Sequence, residues 1–214
     1  MMDQATHTRL NQEKFDGWAP TYEDGRYDFF RRMQERVLAQ FDLKDGMNLL
    51  DLGCGTGWAV RRAAVLVGPR GRACGVDLSE KMIEQARKAA EGVRNVEFQQ
   101  ANAEKLPFAD RSFDRVISTM SFHHWLRPSV AMKEIARILR PGAKVCIVDP
   151  TADNLLMKWA DSYVRRHEAG HVKMYSTAEY RKMYEEAGLR YVGSRRIIAL
   201  WFTSKAHSAE KQSS

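Results

Sequence analysis

Residues 47–57 constrain this chain more tightly than any other stretch. They read Met-Asn-Leu-Leu-Asp-Leu-Gly-Cys-Gly-Thr-Gly. Met47, Leu49, Leu50 and Leu52 form an apolar run that predicts a buried strand of a parallel sheet. Three glycines at alternate positions follow (Gly53, Gly55 and Gly57), and Trp58 opens a helical pattern. A strand, a glycine turn and a helix bring bare backbone against a ligand beside a helix N-terminus. Nucleotide-like cofactors are held in this way.

The spacing narrows the cofactor. A dinucleotide fingerprint is G-x-G-x-x-G, whereas this chain has D-x-G-x-G-x-G led by Asp51. S-adenosylmethionine carries an ammonium group for such an acid to meet and has no pyrophosphate. A second apolar strand ends in Gly-Val-Asp-Leu-Ser, placing Asp77 about 20 residues beyond the loop. An acid there accepts hydrogen bonds from ribose hydroxyls. The competing reading of Asp77 is a helix cap, but Ser79 is better placed for that role.

The rest of the chain alternates strand and helix patterns, which predicts a parallel α/β sheet with right-handed crossovers. Residues 28–41 read as a helix with Phe30, Met33, Val37 and Phe41 on one face. Ser79 caps a helix carrying Ile83, Ala86 and Ala90. Val96 and Phe98 mark a third strand, and Phe113 with residues 115–118 a fourth. A helix over 128–140 is stopped by Pro141 and Gly142, and residues 145–148 form a fifth strand. Ser176 and Glu179 form a capping box for a helix running to Gly188. Residues 189–203 are expected to supply the last two strands. The first dozen and the last ten residues are polar and read as frayed ends.

With these residues in place, the chain resembles the class I S-adenosylmethionine-dependent methyltransferases, and within them the branch containing the ubiquinone/menaquinone-biosynthesis C-methyltransferases. The resemblance covers roughly residues 15–190. It is carried by Trp-Ala-Pro-Thr-Tyr (18–22), the glycine loop, Gly-Val-Asp-Leu-Ser (75–79), Asn-Ala-Glu-Lys-Leu-Pro-Phe (102–108), Ser-Phe-Asp (112–114) and Arg-Ile-Leu-Arg-Pro-Gly (137–142). It implies a Rossmann-like doubly wound sheet of about seven strands, mostly parallel with a C-terminal antiparallel strand, and helices on both faces. It implies S-adenosyl-L-methionine as cofactor and in-line methyl transfer to a small-molecule acceptor. The implied cofactor contacts begin with Tyr22, Asp51, Gly53, Cys54, Gly55 and Gly57. They continue with Asp77, Leu78 and Met82, and then with Asn102, Ala103, Glu104 and Thr119. The family often has Asp at Asn102, near the adenine amino group, where Asn still offers a carbonyl acceptor. It usually has a second glycine at Ala143, where the change alters only a turn.

One domain is expected, in four parts: an N-terminal helical arm or cap over 1–46, a cofactor-binding core over 47–150, a lid-like helical insertion over 151–175, and a C-terminal helix with strands over 176–204. The insertion carries Leu155, Leu156, Trp159 and Tyr163 at helical spacing. These read as a core stripe, as a lid beyond the fifth strand, or as both at different residues.

Methyl transfer needs a base only where the nucleophile must lose a proton. His123 and His124 follow the fourth strand, and the resemblance places their loop at the methionine end of the cofactor. Each reads alternatively as a packed, hydrogen-bonded loop residue. The Tyr22 ring is placed to contact the sulfonium, since aromatic faces attract cations, or simply to pack the arm down. His167-Glu168-Ala169-Gly170-His171 matches the H-E-x-x-H signature of zinc proteases, which needs a helix and a third ligand. Gly170 weakens the helix, and Thr177 stands where the extended motif has its third histidine. A metal-dependent hydrolase is therefore the weakest alternative, and no metal is expected. His171 is the better candidate for substrate contact.

Composition bounds the remaining classes. The 214 residues suit one domain with a substantial core. No apolar run is long enough to span a membrane, and the N-terminus lacks a signal-peptide pattern. Three cysteines, none in C-x-x-C spacing, predict a reducing cytoplasmic setting. The net charge of +7 is spread in singles and pairs, so nucleic acid is disfavoured, while an anionic substrate or membrane surface suits it without being required. The nucleic-acid alternative is weakened further because residues 118–121 read Ser-Thr-Met-Ser in place of an Asn/Asp-Pro-Pro-aromatic loop.

Overall fold

A computed structural model describes residues 3–23, 28–168, 170–199 and 203–213. The chain opens with helix α1 (Gln4–Trp18), whose first turn is capped by the Asp3 carboxylate accepting from Thr6 N. Helix α2 (Asp28–Leu38) precedes strand β1 (Asn48–Leu52) and helix α3 (Trp58–Val67). Strand β2 (Arg72–Asp77), helix α4 (Glu80–Ala89), strand β3 (Val96–Gln100) and strand β4 (Phe113–Thr119) follow. Helix α5 (Pro128–Ile138) leads into strand β5 (Leu139–Pro150), and helix α6 (Leu155–His167) into helix α7 (Thr177–Glu186). Strands β6 (Arg190–Ala199) and β7 (Thr203–Glu210) end the chain.

The seven strands form one sheet in the order β3-β2-β1-β4-β5-β7-β6. Strands β1 to β5 pair in parallel, and β7 runs antiparallel to both β5 and β6. Alternation along each strand feeds two cores. Leu49, Ala73, Ile117 and Cys146 face α2, α3 and α4, whereas Leu50, Cys74, Val116 and Ile147 face α5 and α7. The order reverses at β1, which pairs with β2 on one side and β4 on the other. Open α/β sheets bind ligands at the carboxyl ends of their strands beside such a reversal. The sheet is the doubly wound, mostly parallel one that the strand–helix alternation predicts.

Several local expectations are corrected. The N-terminus is not frayed: α1 is helical, and His7 and Asn11 are buried against the body of the protein. Only one strand lies within 189–199; residues 200–202 fall outside the described residues. The last strand is instead drawn from the segment read as a frayed tail, and β7 is interior to the sheet. Small side chains let it sit between two strands, with Ala206 and Ala209 fully buried. His207 is also fully buried. Its ring stacks on Tyr180 at 3.9 Å, and its carbonyl accepts from Tyr184 Oη at 2.9 Å. Burial pushes the His207 imidazole down to about 4, so it packs as a neutral ring. The Leu155, Leu156, Trp159 and Tyr163 stripe is not core: all four side chains are exposed, and α6 instead buries Met157 and Asp161. Helix α5 ends at Ile138, two residues before its expected stop.

Candidate active site

The glycine turn works because of its backbone. Gly53, Gly55 and Gly57 all have positive φ (+72°, +53° and +77°). At Gly53 a Cβ would lie 2.2 Å from Ser121 Oγ, and at Gly57 it would lie 2.5 Å from the Phe98 ring. The turn therefore excludes side chains on conformational grounds and on space. At Gly55 a Cβ would face the Tyr22 ring at 3.6 Å, so the arm lies over the loop.

Around this turn, at the ends of β1, β2 and β4, lies a cleft that the N-terminal helix covers. Of the sequence-predicted cofactor residues, it brings together Tyr22, Gly53, Gly55, Asp77, Leu78, Met82, Asn102, Ala103, Glu104 and Thr119. Cys54 borders a smaller neighbouring cavity shared with Tyr22, Gly53 and Gly55. Gly57 caps α3 behind the loop.

Asp51 sits beneath the turn, off the cleft wall and fully buried, and neither carboxylate oxygen has a hydrogen-bond partner. Burial, with the charge of Asp77 adding to it, pushes its carboxyl up to about 8. A buried acid without a partner, under a turn whose glycines leave backbone bare, is what an incoming ammonium group would complete. Asp77 is differently placed. One oxygen accepts from Gly55 N at 2.8 Å and the other from Ser79 N at 2.9 Å. Ser79 is the true cap of α4, accepting from Met82 N. Asp77 thus ties the turn to the helix start and retains lone pairs for a vicinal diol. Burial raises its carboxyl, and the amide hydrogen bonds oppose that rise. Asn102 Oδ1 accepts from Glu104 N at 2.9 Å, which fixes a tight turn after β3. Glu104 is clamped by Arg127 and by Gln4 of α1. These groups fit S-adenosylmethionine.

The three candidate histidines lie together but point differently. His123 Nδ1 donates to the fully buried Asp149 carboxylate at 3.0 Å, and His171 Nε2 donates to Asp161 at 2.9 Å. Neither lines the cleft. His124 does, and its Nδ1 donates to the Gly170 carbonyl at 2.9 Å. That bond leaves Nε2 as the acceptor nitrogen. Burial, reinforced by His123, holds the His124 imidazole well below its ordinary range and hence neutral. The zinc-protease signature lacks its geometry. Helix α6 ends at His167, and Gly170 has φ +84°. His167 is exposed and donates back to the Tyr163 carbonyl, whereas His171 turns inward.

Sequence reasoning expected a helical arm or cap over 1–46 but missed that its first dozen residues, read as frayed, line the cleft. Gln4, His7, Thr8, Asn11 and Phe15 line the cleft as a roof. Asn11 Nδ2 donates to the Gly170 carbonyl, and Lys14 pairs with Glu168, so the roof is pinned to the segment after α6. The periodic burial of His7 and Asn11, four residues apart, was the available signal, but both are polar and carry no hydrophobic pattern.

Comparison with known proteins agrees with this site. Residues 43–188 match a family described as a methyltransferase domain. An uncharacterised methyltransferase, YcgJ of Bacillus subtilis, is 34% identical over 67% of this chain and 57% of its own length. A demethylmenaquinone methyltransferase of Staphylococcus aureus is 33% identical over 57% of this chain and 51% of its own. The matches thus span about half the length of these curated relatives. Among solved structures, a putative methyltransferase in complex with the Trm112 methyltransferase activator of Haloferax volcanii aligns over 95% of this chain and 98% of its own, with TM-score 0.82 and 25% identity. A SAM-dependent methyltransferase from Aquifex aeolicus shares the fold at TM-score 0.72, with 24% identity over 91% of this chain and 97% of its own. The glycine turn, the orphaned Asp51 and the family match together make the chain a member of the methyltransferase-domain family, a class I S-adenosylmethionine-dependent methyltransferase of the ubiquinone/menaquinone-like branch.

Proposed function

We propose that the protein methylates a small-molecule acceptor, with His124 as the general base. The observation that carries this reading is the position of His124. It stands in the cleft wall beside Ser121 and Trp125, its ring edge-on to Phe15 of α1 at 5.2 Å and its Nε2 4.0 Å from Glu168 Oε1, as a neutral imidazole with its Nδ1 proton already committed. Bound S-adenosylmethionine supplies a methyl group on a sulfonium, whose departure leaves a neutral thioether. Asp51 meets the ammonium end of the cofactor, Asp77 the ribose, and Asn102 with Ala103 the adenine. Tyr22 closes the arm over the turn. With the cofactor bound, His124 Nε2 would accept the proton that the acceptor gives up.

The α1 roof supports a compact acceptor, because a polymer strand would have to displace it. The relative named as a demethylmenaquinone methyltransferase makes quinols the first acceptors to try. The test is a screen with isotopically labelled cofactor, read by mass spectrometry of the products. Quinols, phenols, amines, lipid extracts and total RNA form its arms. Label in a small organic product is the expected outcome. Label in RNA alone overturns the acceptor class.

A further inference from the structure

Helix α6 turns an apolar face to solvent that the cleft does not use. Leu155, Leu156, Trp159 and Tyr163 are 84%, 69%, 66% and 52% exposed. At 3.6 residues per turn they share an arc of about 100°. The opposite side of the helix carries the buried Met157 and Asp161. Along the exposed arc the Trp159 and Tyr163 rings stack at 6.0 Å, and Tyr163 stacks on His167 at 4.2 Å. An aliphatic pair followed by a ladder of amphipathic rings suits the boundary between lipid headgroups and acyl chains.

The charges around this face have one sign. Arg166 lies within the arc, and Lys158 and Arg165 border it, all exposed. The one carboxylate of α6, Asp161, is buried on the far side and paired with His171 and Arg165. Asp153, just before the helix, is paired with Lys205, and Glu168, just after it, with Lys14. The whole chain carries +7. A second copy packed on this face would set Arg166 and Lys158 of one molecule near the same cations of the other. Anionic headgroups would instead neutralise them while the long Lys and Arg stems snorkel beside the rings.

We propose that α6 docks the protein flat on an anionic lipid bilayer. The docked face is continuous with the cleft's roof, because Lys14 and Asn11 of α1 hold Glu168 and Gly170 at the end of α6. A bilayer beneath α6 would therefore lie beside the roof of the cleft.

The test is flotation of the full chain with vesicles of phosphatidylglycerol and phosphatidylcholine, against phosphatidylcholine alone. Binding requires no methyl transfer, so its failure is distinguishable from failure of the proposed activity. With Arg165 engaged by Asp161, Arg166 and Lys158 predict partitioning roughly 30-fold stronger on the anionic vesicles. Leu156→Ser with Trp159→Ser should reduce it about tenfold or more, and Arg166→Glu should reduce its salt-sensitive part. All three sites are exposed, so thermal melting and cofactor affinity should not change. No binding to anionic vesicles overturns the proposal, as does binding indifferent to these substitutions. Self-association in sedimentation velocity that the Leu156 and Trp159 changes abolish assigns the face to a second copy and overturns it equally.

Discussion

Asp51 illustrates how one residue can be costly to the empty fold and useful to the loaded one. Its carboxyl, ordinarily near 4 in an unfolded chain, is pushed up to about 8 in the folded state. Between those values the native state holds a proton that the unfolded state has released. Stability without cofactor should therefore fall as pH rises from about 4 to about 8, then level off. Asp51→Asn removes this slope. At pH 8 the variant should be more stable than the parent by a few kcal/mol, on the order set by the shift, and the two should converge only at about pH 4 and below. Thermal melts at both pH values measure this. Calorimetry should show cofactor affinity weakened by about tenfold or more, since the ammonium loses its charged partner. The histidines separate in the same spirit. His124→Ala should lower turnover roughly 10²- to 10⁴-fold while cofactor affinity holds. His123→Ala strands the fully buried Asp149 carboxylate, so its effect should appear as lost stability of about 3–5 kcal/mol. Equal melting temperatures for the two variants would reverse these roles.

At the scale of elements, α1 and β7 divide function from folding. The buried residues of α1, His7 and Asn11, are both polar, so the helix contributes little apolar burial. It contacts the cleft, Glu168 and Gly170, and the start of α4, where Gln12 Nε2 donates to the Leu78 carbonyl at 3.2 Å and Ser79 Oγ to the Asp16 carboxylate. A chain beginning at Ala19 should keep a cooperative melt within a few degrees of the parent but bind cofactor about tenfold or more weakly. A lost transition would make α1 part of the core. Strand β7 is the reverse case. It supplies both partners of the β5–β7–β6 pairing and buries His207 against Tyr180. Ending the chain at Ala199 leaves two strand edges unpaired and should abolish the cooperative transition, whereas ending it at Lys211 should leave it intact. Circular dichroism on the two truncations decides this.

For the whole molecule, the strand order places every cofactor-facing group at one edge. The reversal at β1 opens the cleft, the turns after β1, β2 and β4 line it, and α1 closes it. The sequence by itself determined the local chemistry of that edge: the glycine turn, Asp51, Asp77 and the Ser79 and Ser176 caps. Each of these depends on short-range sterics or hydrogen bonds between residues a few positions apart, and such constraints leave a mark in the order of residues. Only the tertiary structure decided which of three adjacent histidines faces the cleft, that a polar N-terminal helix is its roof, that a stretch of Lys, Ala, His and Ser is an interior strand, and that an apolar stripe on α6 faces outward. Those outcomes depend on partners tens to more than a hundred residues away, such as Gly170 for Asn11 and Tyr180 for His207. The burial such partners confer is not a property of any local window.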